Sequence, residues 1–215
     1  APAAPRAAES PAARRPRQPE GRGYVVSANV ASKGVRAVAA GRFQAWQASI
    51  SFEHLLIRSR TSHSLLRAQR FSAALRRFRE LVAGAGLAAS PEEAAAAAGR
   101  LRLARAQALA EAEVSEEEIR PSYCAYVTVG RWVGKVESPT TLSLDQALAW
   151  RRRLLAARGA GCWAAFRRAW VEMLLEASRC PASARLGASR FGGRRDAERR
   201  VDDAWRRRRG GHARR

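Results

Sequence analysis

Arg58 and Arg60 stand two residues apart in the stretch LLIRSRT, and Arg36 and Arg42 flank the turn signal in GVRAVAAGRF. A guanidinium can hold a phosphate or a guanine edge through two N–H bonds and can stack on a base, whereas an ammonium acts as a point charge. Arginines two apart in an extended chain share a face at a spacing of about 7 Å, which suits successive phosphates or base edges. Arg131 and Lys135, in YVTVGRWVGKV, repeat the theme later in the chain. Trp46 stands among the first set, either as part of the binding array or as a core residue beneath it. The whole chain carries 40 Lys plus Arg against 19 Asp plus Glu, a net charge of +21, and only Lys33 and Lys135 are lysines. A field of that size draws polyanions by steering and counterion release, so nucleic acid is the expected partner.

No catalytic constellation accompanies these cations. His54, His63 and His212 have no Cys or carboxylate at ligand spacing, and Cys124, Cys162 and Cys180 form no C-x-x-C pair. Neither G-x-S-x-G nor G-x-x-x-x-G-K occurs. The expectation is a non-enzyme without metal or cofactor, in a reducing compartment since the odd, widely spaced cysteines make no disulfide framework. No apolar run approaches the ~18 residues of a membrane span.

The elements that must position the cations follow from a change of period. Val35 and Val38 mark a first strand, and Trp46, Ala48, Ile50 and Phe52 alternate along a second. In the third, Leu56, Arg58 and Arg60 share one face and Leu55, Ile57 and Ser59 the other. After Ser64, an N-cap, the residues Leu65, Ala68, Phe71, Leu75, Phe78 and Val82 recur at helical spacing, and AGAG stops the helix. A three-stranded antiparallel sheet packed on one amphipathic helix buries both stripes, an α+β module over residues 23–86. Residues 87–120 read as an exposed helical connector opened by Ser90, Pro91, Glu92 and Glu93 and closed by Pro121. Residues 121–180 read as a second, degenerate copy, in which Trp132, Gly134 and Val136 answer Trp46, Ala48 and Ile50, and Ala125 stands where Arg36 was. That copy has two strands around Gly130, a helix capped by Ser143 and a further helix bearing Trp163, Phe166, Trp170, Met173 and Leu174. It lacks a third strand, so its sheet is two-stranded or supplemented from elsewhere. Residues 1–22, rich in Pro, Ala and Arg, read as disordered, and 181–215 as a basic arm, a short charged helix fraying into an Arg-rich tail. The chain does not open with Met, which suits a processed product or a fragment.

The KGVR motif, the turn, Trp46-x-Ala48-x-Ile50, the third strand and the helix together resemble the AP2/ERF domain of plants and protists, over residues 32–82 and more faintly 122–158. The resemblance implies a sheet laid in the major groove of double-stranded DNA, with Arg36, Arg42, Trp46, Arg58 and Arg60, and Arg131 and Lys135 in the second copy, as nucleic-acid contacts. It further implies a nuclear transcription regulator. The alternative is an rRNA-binding structural protein of an organellar ribosome, in plastid or mitochondrion, where basic tails and a small α+β body brace RNA. A third reading lays the basic helices on an anionic membrane or an acidic partner.

Overall fold

A computed structural model describes residues 34–40, 43–83, 91–130, 132–179 and 193–212. Arg42, Arg131, the 1–22 segment and the turn at Gly41 lie outside the described residues. The strands are β1 (Val35–Ala40), β2 (Phe43–Phe52), β3 (Leu55–Arg58), β4 (Ser122–Val129) and β5 (Gly134–Glu137). The helices are α1 (Leu65–Val82), α2 (Pro91–Glu111), α3 (Glu116–Ile119), α4 (Leu144–Gly159), α5 (Trp163–Arg179) and α6 (Arg194–His212). The class is α+β, as expected, but the expected three-stranded sheet is part of a larger one. All five strands form one antiparallel sheet in the order β1-β2-β3-β4-β5.

Alternation sorts the strands into two faces. Ala48, Ile50, Leu55 and Ile57 pack on Phe71, Leu75 and Phe78 of α1, and Val127 and Val136 pack with Trp150 of α4 and Phe166 of α5. Removing these side chains from water is the main force holding helices to sheet. Ser64 caps α1 by accepting from the Arg67 N–H, and Ser143 caps α4 by accepting from the Gln146 N–H, both as the sequence reading required.

The second unit obtains its missing strand from the first. Val35, Arg36 and Ala37 of β1 lie opposite Ala48, Gln47 and Trp46 of β2. In the same manner Leu55, Leu56 and Ile57 of β3 lie opposite Ala125, Cys124 and Tyr123 of β4. Strand β3 is thus the third strand of one three-stranded unit, β1-β2-β3 with α1, and the first strand of the next, β3-β4-β5 with α4.

The two units are also closed by the same hydrogen bonds. The Ala48 N–H donates to Ser59 Oγ at 3.0 Å and the Ser59 N–H returns to Ala48 O at 2.9 Å; Ala125 and Ser138 do the same at 2.9 and 2.7 Å. Trp46 and Ser62 exchange both backbone bonds, as do Tyr123 and Thr141. Ser62 Oγ then accepts from the Ser64 N–H, and Thr141 Oγ1 from the Ser143 N–H, which sets the direction of each following helix. By this register Trp46, Ala48 and Ile50 answer Tyr123, Ala125 and Val127, not Trp132, Gly134 and Val136. Trp132 lies in the turn between β4 and β5, nine residues past Tyr123, and so answers no strand residue of the first unit. Glu53 and His54 alone separate Phe52 from its partner Leu55, whereas residues 130–133 separate Val129 from Gly134.

Three further expectations are corrected. The connector is two helices rather than one, since Ser115 and Glu118 form a capping box that starts α3 afresh. It is not exposed either: Ala97, Ala98, Leu101, Ala108 and Leu109 are buried, and α2 packs on α1. Lastly, α6 runs to His212, well beyond the short helix expected there.

Candidate nucleic-acid interface

The helix-free face of the sheet is the array on which the expected contacts should lie. Pairing puts Arg36 beside Gln47, Ser49 beside Arg58, Arg58 beside Ser122, Thr128 beside Lys135 and Tyr126 beside Glu137, all on that face. Among the described residues, α1, α4 and Phe166 of α5 pack against the opposite one.

The expected contacts separate into three groups. Arg36 is exposed on β1 and donates from Nη2 to Gln47 Oε1 at 2.7 Å. Gln47 in turn donates from Nε2 to Ser59 O at 2.9 Å, so the guanidinium is oriented by an amide that is itself tied to the backbone. Arg58 and Lys135 are on the same face but share one carboxylate. Arg58 Nη2 lies 3.4 Å from Glu137 Oε2 and Lys135 Nζ 2.7 Å from Glu137 Oε1. Lys135 Nζ also sits 4.8 Å from the centre of the Tyr126 ring, a favourable place for a cation. Burial opposes ionisation of Glu137, but the Lys135 hydrogen bond and the charges of Lys135 and Arg58 outweigh it and hold the carboxyl below its usual range.

The third group leaves the face. Trp46 is 8% exposed and packs on Val35 and Ala68 beneath the sheet, so it is a core residue and not part of the exposed face. The reason is the register: Trp46 pairs with Ala37, on the side of α1. Arg60 is exposed but lies beyond β3, with its N–H on Ile119 O. Between the Ser49–Arg58 pair and the Trp46–Ser62 bridge, β2 advances three residues and the partner chain four. That extra residue is a bulge, and it breaks the alternation that would have put Arg58 and Arg60 on one side.

Among the described residues, Arg36 is the one cation on this face without a carboxylate partner. Where β2 and β3 carry Gln47 and Arg58, the matching positions of β4 and β5 carry Cys124 and Glu137. Cys124 Sγ donates to Ser138 O at 3.1 Å, as Gln47 does to Ser59 O, and burial raises its pKa so that it remains a thiol.

The ribbon has an anchored end. Glu53 and His54 both have positive φ, 39° and 66°, the conformation that suits a two-residue turn to the twist of its strands. Neither is glycine, so the turn needs outside support. Arg151 of α4 supplies it, donating from Nε to Glu53 O at 2.6 Å while Nη2 stands 3.7 Å from Glu53 Oε2.

No known protein family, curated protein or solved structure matches this chain. Its chemistry is therefore argued from its own residues. Sequence reasoning missed Gln47, Glu137 and Arg151. The Lys-x-Glu spacing at 135 and 137 already placed the acid on the cationic face, but the Arg58–Glu137 contact depends on β3 pairing with β4, which no local pattern announces. Among the described residues no helix is long and apolar enough to cross a membrane.

Proposed function

We propose that this chain binds double-stranded DNA in a sequence-dependent way, as a transcription regulator, with the β1–β2 ribbon entering the major groove. The observation that carries the reading is Arg36: exposed, on the helix-free face, oriented by Gln47 and with no carboxylate partner among the described residues. Residues 35–40 pair with 43–48, whereas β3 pairs with 49–52, so the first half of β2 shares its ladder chiefly with β1. A two-stranded ribbon is of a width the major groove admits, and Arg and Gln are the side chains that hold guanine and adenine edges bidentately. The net charge of +21 supplies the sequence-independent part of the affinity.

The matching bonds around Ser59 and Ser138 support an internal duplication, with β3 shared between the copies. In this reading the second copy braces the first, because Glu137 neutralises the face where the first copy is cationic.

Selection from random duplex DNA tests the proposal. An enriched sequence is expected, and on it Arg36→Ala should cost about 1–3 kcal/mol with the thermal midpoint unchanged. Failure to enrich any sequence, or an Arg36→Ala variant that binds the enriched site as well as the parent, would overturn it and favour the rRNA-binding alternative.

A further inference from the structure

A second feature lies away from the sheet face, at one end of the α5–α6 helix pair. Trp132 from the β4–β5 turn, Trp163 at the start of α5 and Trp205 on α6 converge there. The ring centres are 6.0 Å apart for Trp132 and Trp163 and 5.8 Å apart for Trp163 and Trp205, the latter pair inclined by only 12°. Phe166 forms the floor, 5.6 Å from Trp132. All three indoles are half-buried, whereas Trp46, Trp150 and Trp170 are buried. The core thus takes three of the six tryptophans, and the other three gather at its rim.

The surroundings of this rim are polarised. Along α6 the acids Asp196, Glu198, Asp202 and Asp203 accompany the first arginines, and then the acids stop. Trp205 is followed directly by Arg206, Arg207, Arg208 and Arg209. Arg206 and Arg207 are exposed, and Asp203 lies 3.0 Å from Arg206. One turn back, Arg167 and Asp202 form a two-bonded pair at 2.7 and 2.8 Å that joins α5 to α6. The hydrogen bond from Arg167 holds the Asp202 carboxyl below its usual range, so the pair stays charged and keeps the indoles in register at neutral pH. Half-exposed aromatic planes beside exposed arginines form the arrangement on which unpaired bases stack while the cations meet the phosphates.

We infer that Trp132, Trp163 and Trp205, with Arg206 and Arg207, form a second nucleic-acid site that takes unpaired nucleotides. The site shares with the sheet-face reading only the premise that the partner is a nucleic acid. A duplex hides its base planes in the stack, so the indoles select single strands, or the splayed ends and loops of structured ones. The protein would therefore hold paired and unpaired strands at separate places.

The test uses the full chain with oligodeoxythymidine and, separately, a blunt duplex lacking unpaired bases. Oligodeoxythymidine should quench the tryptophan emission, and Trp205→Leu, which keeps apolar volume at the rim, should weaken its binding about tenfold or more, the range for one lost stacked base. Binding to the duplex should be unchanged by that substitution. The double variant Arg206→Gln with Arg207→Gln, on an exposed helix face, should lower the salt slope for oligodeoxythymidine by about 1.4 units, and it decides the matter should Trp205→Leu melt early. The proposal fails if oligodeoxythymidine binds Trp205→Leu as tightly as the parent, or if both probes weaken equally in the arginine variant. Loss of duplex binding alone in Arg36→Ala would leave this site standing; duplex binding with no single-strand binding would remove this site and leave the sheet-face reading intact.

Discussion

Replacing Glu137 with Gln should tighten binding to duplex DNA. The carboxylate holds Arg58 at 3.4 Å and Lys135 at 2.7 Å, with side-chain exposures of 21% for Arg58, 52% for Lys135 and 38% for Glu137 itself. Both cations are within reach of solvent, and both spend part of their field on one acid. Each phosphate contact contributes about −0.9 to the slope of log K against log salt, so at about 0.1 M salt one freed cation strengthens binding roughly eightfold and two roughly sixtyfold. The fold loses two part-exposed ion pairs, a cost of about 0.2–1 kcal/mol each, which leaves it intact. Lys135 and Arg58 keep the Glu137 carboxyl below its usual range, so near neutral pH only substitution, and not protonation, removes the charge. Anisotropy titrations of a labelled duplex from about 0.05 to 0.2 M salt read the slope directly. A steeper slope by one to two units is expected for Glu137→Gln. If affinity and slope match the parent, phosphates do not reach this face, and the placement of DNA on the sheet is refuted.

Ser59→Ala and Ser138→Ala each remove the side-chain acceptor of a buried backbone N–H, that of Ala48 or Ala125. Each should cost about 1–3 kcal/mol in urea denaturation, by similar amounts, and a silent result at either site would break the equivalence of the two units. The pKa of His54 is lowered by burial and then by the charges of Arg158 and Arg151, and its Nδ1 is buried without a hydrogen-bond partner. Below about pH 6.5 the unfolded chain therefore takes up the proton first, so this contribution to stability is whole above that pH and is lost as the pH falls through the folded value. His54→Asn, with a residue tolerated at positive φ, should flatten the fall of the urea midpoint between pH 7 and 5; an unchanged profile would clear His54 of any part in it.

Local signals were legible where one element decides its own pattern. The stripe from Ala68 to Val82 is buried as read, and Ser64 and Ser143 cap the helices they precede. The α2 surface was misread because alanine scarcely registers as apolar in a charged helix, yet Ala97, Ala98 and Ala108 are what allow α2 to approach α1 closely. Comparison of the two units failed for a different reason. Trp132 lies in the turn between Val129 and Gly134, so a match drawn on it sets a turn residue against the strand residue Trp46 and puts the second unit out of register. Of the expected contacts among the described residues, Arg36, Arg58 and Lys135 are on the face, because strand alternation alone placed them. Trp46 was ambiguous on alternation alone, and the Ser59 bulge that displaces Arg60 is a property of pairing, which depends on where a distant strand lies.

The sharing of β3 changes how many open sheet borders the molecule must manage. Two separate modules, one of three strands and one of two, would expose four strand borders, each a row of unpaired N–H and C=O groups able to recruit another chain. With β3 serving both units, only β1 and β5 remain as borders among the described residues. Strand β5 is four residues long and carries Lys135 and Glu137, a short charged border of the kind that resists strand addition. Cutting the chain between α1 and α2 would open β3 itself, whose sequence Leu55-Leu56-Ile57 is apolar, and fragments made at that boundary should associate through it.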